Sequence, residues 1–172
     1  MEAISNLVIR PVTESDIPDL LALVRELADY EHLLDILIAD DELYRKALFG
    51  ECPVAEALIA HYNGEPAAYA IFFHSFSSFL GRAGIYLEDI FVRPHLRGKG
   101  IGKTLFTTVA KIASDRNCGR MEWTVLKWNK PAIDFYEAHG AESLDGWTTM
   151  RLTGEALAKV AEEYPEDAAF EG

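Results

Sequence analysis

Residues 97–104, Arg-Gly-Lys-Gly-Ile-Gly-Lys-Thr, carry the densest chemical signal in the chain. Gly98, Gly100 and Gly102 let successive backbone N–H groups turn toward one point. A helix opening there adds about half a positive charge at its N-terminus. Arg97, Lys99 and Lys103 add full charges, so the stretch is suited to an anion. Two nucleotide-binding patterns miss by one residue. A Walker A loop, G-x-x-x-x-G-K-[ST], needs glycine where Arg97 stands, and a Rossmann fingerprint needs glycine where Lys103 stands. What is present is Arg-x-x-Gly-x-Gly, from Arg97 through Gly100 to Gly102.

The surrounding pattern supplies elements to position that loop. Residues 6–12 read as an opening strand. Thr13 or Ser15 can cap a helix with Ile17, Leu20, Leu21, Val24, Leu27 and Ala28 at helical spacing. A short helix over 40–49 stops at Gly50. Asn63-Gly64 between apolar runs signals a two-residue hairpin turn. Residues 84–92 form the strand entering the loop, and the helix after it ends near Arg116. Residues 120–128 read as the next strand, and the stretch from Lys130 to Gly140 as a short helix with Pro131 in its first turn. Residues 146–152 read as a last strand, and Thr153 can cap a closing helix. An antiparallel meander leading into strand–helix–strand predicts an α+β fold, a single domain over 1–172 with a mixed, mostly antiparallel sheet flanked by helices. The acidic tail from about 160 to 172 is expected to fray.

Composition narrows the function. The net charge of −12 argues against a nucleic-acid partner, and no apolar run reaches the ~20 residues that cross a bilayer. Charge is segregated. Twelve acids against three bases between Glu14 and Glu56 give −9, while ten bases against four acids between Arg82 and Lys130 give +6. That division suits an anionic ligand at the middle and a cationic one near the first third. Cys52 and Cys118 stand in no C-x-x-C pair, so no zinc site is expected. A cytoplasmic chain without a secretory leader is the expectation. His74, His95 and His139 are candidate bases by residue type alone.

The strand "YLEDIFV" (86–92), then "RGKGIG" (97–102), resembles the acetyl-CoA pyrophosphate loop of the GNAT superfamily of N-acyltransferases. With "VIRP" near the start, "ELADYE" (26–31), "WNKPAIDFYEAHGA" (128–141) and "GW" (146–147), the chain resembles the spermidine/spermine N-acetyltransferase branch up to about Thr153. The resemblance implies an enzyme that transfers acetyl from acetyl-CoA to a primary amine of a small cationic acceptor. It implies direct attack in a ternary complex, with no metal, and a homodimer. It implies pyrophosphate on the backbone N–H groups from Arg97 through Gly98, Lys99, Gly100 and Ile101 to Gly102. Ile90, Phe91 and Val92 would line the pantetheine arm, with Asn129, Lys130, Pro131 and Ala132 also contacting the cofactor. Tyr136 would protonate the departing thiolate.

Glu88 matches the family's glutamate at the amine. An alkylammonium with a pKa of about 10 leaves about one molecule in a thousand nucleophilic at pH 7, a penalty of roughly 4 kcal/mol. A carboxylate beside it attracts the cation and can accept the proton. An ordinary carboxylate, at about 4, is a weak base for that task unless a water relay or burial helps. Asp89 adjoins Glu88. In a regular strand the two point to opposite faces, which assigns Glu88 to the site and Asp89 to structure unless a bulge re-aims them. By resemblance the amine pocket also draws on Tyr30, Glu31, Glu122, Trp123 and Thr124.

The chain departs from that branch where charge matters. Leu34 replaces one of two adjacent acids, and "KWNKP" places Lys127 and Lys130 where the branch has acids. Each lost unit charge at about 4 Å weakens the hold on a polycation by up to roughly 4 kcal/mol before solvation. The acceptor is therefore a polyamine or diamine, or alternatively a lysine-like amino acid such as thialysine, or a protein amine. A CoA- or polyamine-binding sensor without turnover is the reading from another class.

Overall fold

The computed structural model describes residues 4–165. Contacts divide the chain into two compact units, one ending at Thr124 and one beginning at Val125.

The first unit is built on one sheet of five strands in sequence order. These are β1 (Leu7–Pro11), β2 (Glu56–Tyr62), β3 (Glu65–Ser77), β4 (Arg82–Val92) and β5 (Met121–Glu122). The first four pair antiparallel, and β5 joins β4 in parallel through Ile85–Met121 and Tyr86–Glu122. The β2–β3 turn is the one its residues dictate: Asn63 at φ 54° and Gly64 at φ 87° both take the left-handed conformation.

Helix α1 (Ile17–Tyr30) covers one face of the sheet. Its Leu20, Leu23 and Val24 pack with Ala57, Ile59, Tyr69, Ile71 and Phe91. The start of α1 is fixed by Asp16. That carboxylate receives the Arg10 guanidinium at 2.6 and 2.7 Å, and the N–H and hydroxyl of Thr13 at 2.8 and 2.6 Å. Helix α2 (Asp41–Phe49), capped by Asp40 on the Leu43 N–H, lays Tyr44, Leu48 and Phe49 against the same core. Helix α3 (Ile101–Asp115) buries Ile101, Leu105, Phe106, Val109 and Ala113. Its C-terminal Arg116 lies 6.0 Å from the Phe72 ring, a residue of opposite parity to Tyr69 and Ile71. The fold is therefore α+β, a mixed sheet between helices.

The second unit holds α4 (Lys130–Glu137) and α5 (Gly154–Glu162). Two expectations fail around it. The strand expected over 120–128 is limited to β5, and the strand expected over 146–152 does not form. A strand persists only where a neighbour accepts its hydrogen bonds, and the β4 pairing ends at Glu122. Trp147 and Met150 are left 79% and 86% exposed. The expected frayed tail lies mostly outside the described residues. No helix among the described residues is long and apolar enough to cross a membrane.

Candidate active site

The glycine loop occupies the gap between β4 and α3. Arg93 anchors its near side. Its guanidinium grips Glu26 of α1 at 2.8–3.1 Å and donates to the Pro66 carbonyl at 2.6 Å. A 3-10 turn, Pro94–Leu96, follows. Arg97 then folds back, donating from Nε to the Val92 carbonyl at 3.1 Å and lying 4.5 Å above the Tyr30 ring. Gly98 and Gly100 sit at φ 78° and 85°, the left-handed conformation that L side chains resist. Gly102 lets α3 close on the strand, since a Cβ there would stand 3.3 Å from Val92. The N–H groups of Ile101, Gly102 and Lys103 open α3 and have no carbonyl a turn earlier in the helix to bond. Together with Lys99 and Lys103 they fit a diphosphate.

The strand beside the loop also suits an amide-bearing arm. β5 pairs only with Ile85 and Tyr86, so among the described residues the edge of β4 from Leu87 to Val92 has no strand alongside. Ile90 and Val92 are half-buried. The Phe91 side chain is packed away in the α1 core, so it can offer a ligand only its backbone.

Directly upstream the pleat of β4 slips. Ile71 pairs with Asp89 while Phe72 pairs with Leu87, so Glu88 is an extra residue. The bulge that could re-aim the two acids is thus present. Asp89 shares its face with Ile71, on the α1 side, and Glu88 is exposed. The Tyr69 hydroxyl donates to Asp89 Oδ2 at 3.3 Å. Burial, then the charges of Glu88 and Glu31, push the Asp89 carboxyl up to about 6, against the opposing pull of the Tyr69 hydroxyl. Burial also raises Glu31, half-buried at the end of α1. Burial and the charges of Asp89 and Glu88 push the Tyr44 phenol up to about 12. Tyr69 is fully buried and shifted the same way, by burial first and Asp89 second. The first unit thus brings together Glu31, Glu88 and Asp89 against two phenols, with Tyr30 next to Glu31 in sequence and Arg97 over the Tyr30 ring. Such a corner attracts a cation and contains a carboxyl able to exchange its proton near neutrality.

Tyr44 and Tyr69 escaped sequence reasoning. Tyr69 did leave a signal, because a tyrosine inside the apolar run "AAYAIFF" must find a partner for its hydroxyl. Tyr44 left none.

The other expected residues divide by unit. In the first, Glu122 is bridged by Arg120 at 2.7 Å, which offsets its charge. Trp123 packs edge-on against Phe106 at 5.4 Å, and Thr124 is exposed. His74 lies 3.4 Å from Arg116, beside the Arg116–Glu56 ion pair. In the second, Asn129 precedes α4, Pro131 and Ala132 stand in its first turn, and Lys130 pairs with Asp134 at 2.5 Å. Burial pushes the Tyr136 phenol up to about 12, so it keeps its proton at any physiological pH. The His139 ring contacts the Phe135 carbonyl through Nδ1 at 2.7 Å.

The strand, the left-handed glycine turn and the helix N-terminus suit an anionic ligand, and the acidic corner upstream suits a cationic one. A family model described as the acetyltransferase (GNAT) family matches residues 21–141, and the chain belongs to that family. It is 41% identical over 164 residues to a thialysine N-epsilon-acetyltransferase of Bos taurus, covering 89% of this chain and 96% of that protein. It is 31% identical to the human spermidine/spermine N(1)-acetyltransferase-like protein 1, over 90% of this chain and 24% of that longer protein. Among solved structures, an integron cassette protein from the mobile metagenome of V. cholerae superposes with a TM-score of 0.77 at 28% identity, covering 91% of this chain and 98% of that one. The chain is therefore an N-acetyltransferase that acts on amines, in a family whose co-substrate is acetyl-CoA.

Proposed function

We propose that the acceptor is the side-chain amine of a lysine-like amino acid such as thialysine, rather than a polyamine. The carrying observation is the 41% identity to a thialysine N-epsilon-acetyltransferase across nearly all of both chains. Charge supports the same choice. Leu34, Lys127 and Lys130 leave fewer acids than a polycation would use, while Glu31, Glu88 and Asp89 suffice for one ammonium. In this reading the backbone from Arg97 to Gly102 holds the diphosphate of acetyl-CoA and the free edge of β4 bonds its amide arm. Asn129, Lys130, Pro131 and Ala132 provide further contacts. Glu88 draws in the ammonium, and Tyr136, protonated throughout the working range, gives its proton to the departing thiolate. The amine attacks the thioester directly, in a ternary complex. We place the protein in the cytoplasm, in keeping with two free cysteines. We also propose a homodimer, which would cover Trp147 and Met150.

Free-thiol release from acetyl-CoA across thialysine, lysine, putrescine, spermidine, spermine and a lysine-rich protein tests this. The expected result is the highest kcat/KM with thialysine. A tenfold preference for spermidine would restore the polyamine reading. Tyr136→Phe is expected to lower kcat about a hundredfold with CoA binding kept.

A further inference from the structure

Before an ammonium can attack, one proton must leave its nitrogen for an acceptor. Three carboxylates stand in the acidic corner, and they differ. Glu88 is the extra residue of the bulge and is exposed to water. Glu31 closes α1 and is half-buried. Asp89 is largely withdrawn from water, shares a face with the α1 core, and receives the Tyr69 hydroxyl at 3.3 Å. Tyr69 itself is fully buried in the middle of β3 and cannot swing away. We propose that Asp89, rather than Glu88, receives the ammonium's proton, with Tyr69 as its positioning residue and Glu88 as the electrostatic anchor for the cation. This rests on the amine-acetyltransferase reading of the same site.

The balance is as follows. An N–H bond of the ammonium breaks, its electron pair stays on nitrogen, and the proton binds Asp89. The neutral amine forms a C–N bond to the thioester carbonyl carbon, and the C–S bond breaks. The nitrogen then sheds a second proton, equal in number to the one delivered to the thiolate through Tyr136. Asp89 returns its proton to water once the products leave. The groups facing Asp89 are Tyr69 from β3, Tyr44 from α2, Glu31 from the end of α1 and Glu88 on its own strand. Acids and phenols disfavour a second negative charge there, so an Asp89 carboxyl near 6 is a stronger base than an ordinary aspartate.

The test is the pH dependence of kcat/KM with the best acceptor, read alongside an aspartate-13C titration of the free protein. Wild-type kcat/KM should rise through about pH 6, and the carboxyl resonance that Asp89→Asn removes should titrate there. Asp89→Asn should lower kcat about a hundredfold with KM within about threefold, and abolish that acid limb. Glu88→Gln should act mainly on KM. Tyr69→Phe removes a donor to the ionised form, so both the acid limb and the resonance should move to higher pH, a shift that a merely structural tyrosine would not produce. Asp89→Glu should recover part of the lost kcat. An Asp89→Asn enzyme with wild-type kcat and acid limb overturns the inference alone. So does an Asp89 resonance titrating at about 4, the ordinary aspartate range. No turnover by the wild-type chain with any amine overturns the acetyl-transfer reading, and this inference with it.

Discussion

At the start of α1, Asp16 accepts the two-pronged Arg10 fork at 2.6 and 2.7 Å and two more hydrogen bonds from Thr13. At the β4 bulge, Asp89 has a phenol at 3.3 Å and two further acids close by. Both carboxyls are largely out of water. The Arg10 fork holds the first well below the usual carboxylate range, and burial holds the second well above it. Burial alone therefore does not tell a structural acid from a reactive one. The sign of the neighbouring charge does. Asp16 ties strand to helix and gains from being ionised. Asp89 sits where ionisation is expensive, which is useful only if the group is meant to pick up a proton.

This contrast can be broken by substitution. The largest stability effect is expected from Asp89→Asn, and it is a gain. A carboxyl pushed up to about 6 corresponds to about 3 kcal/mol of stability missing at pH 7. The sign follows from the raised value: the folded state binds the proton more tightly than the unfolded state. The favourable contribution is complete below about pH 4 and lost as pH rises through about 6. Urea unfolding of wild type and Asp89→Asn should thus converge near pH 4 and separate by pH 7. A less stable variant at pH 7 would erase the contrast.

Asp16→Asn should do the opposite, with a loss of about 2 kcal/mol at pH 7, because the Arg10 fork and both Thr13 bonds lose their charged acceptor. Its folded value is depressed, so that contribution is present above about pH 4 and disappears as pH falls below it. The difference between wild type and Asp16→Asn should shrink on acidification, measured by the same unfolding series. The smallest effect sharpens the comparison. Arg10→Lys keeps the charge but loses the fork, for an expected loss of about 1 kcal/mol. Equal stability would mean that charge alone fixes Asp16.

Much of this was legible in the sequence. The Asn63-Gly64 turn, the short helix that stops at Gly50 and the helical stripe of α1 each follow from local chemistry, and local chemistry needs no partner to be read. The glycine loop was legible for the same reason. The bulge was not. An extra residue in a strand carries no residue signature, and "YLEDIF" satisfies either alternation until the partner register of β3 is known. Asp89 therefore read as structural, and Tyr69 and Tyr44 were not singled out. The missing strand over 146–152 failed for a related reason, since strand-forming residues say nothing about whether an edge is waiting for them.

The bulge also sets a rule for length. Arg82–Leu87 answers to the hairpin tip, while Asp89–Val92 leads into the glycine loop, and the two halves of β4 run in opposite phase. Leu87 and Asp89 already pair with the successive residues Phe72 and Ile71, so removing position 88 would let the ladder run on unbroken and leave both halves of β4 facing as they do. The sheet would survive that deletion, while the acidic corner would lose its exposed carboxylate. Length at position 88 is thus spare for the scaffold but not for the charge that the scaffold presents.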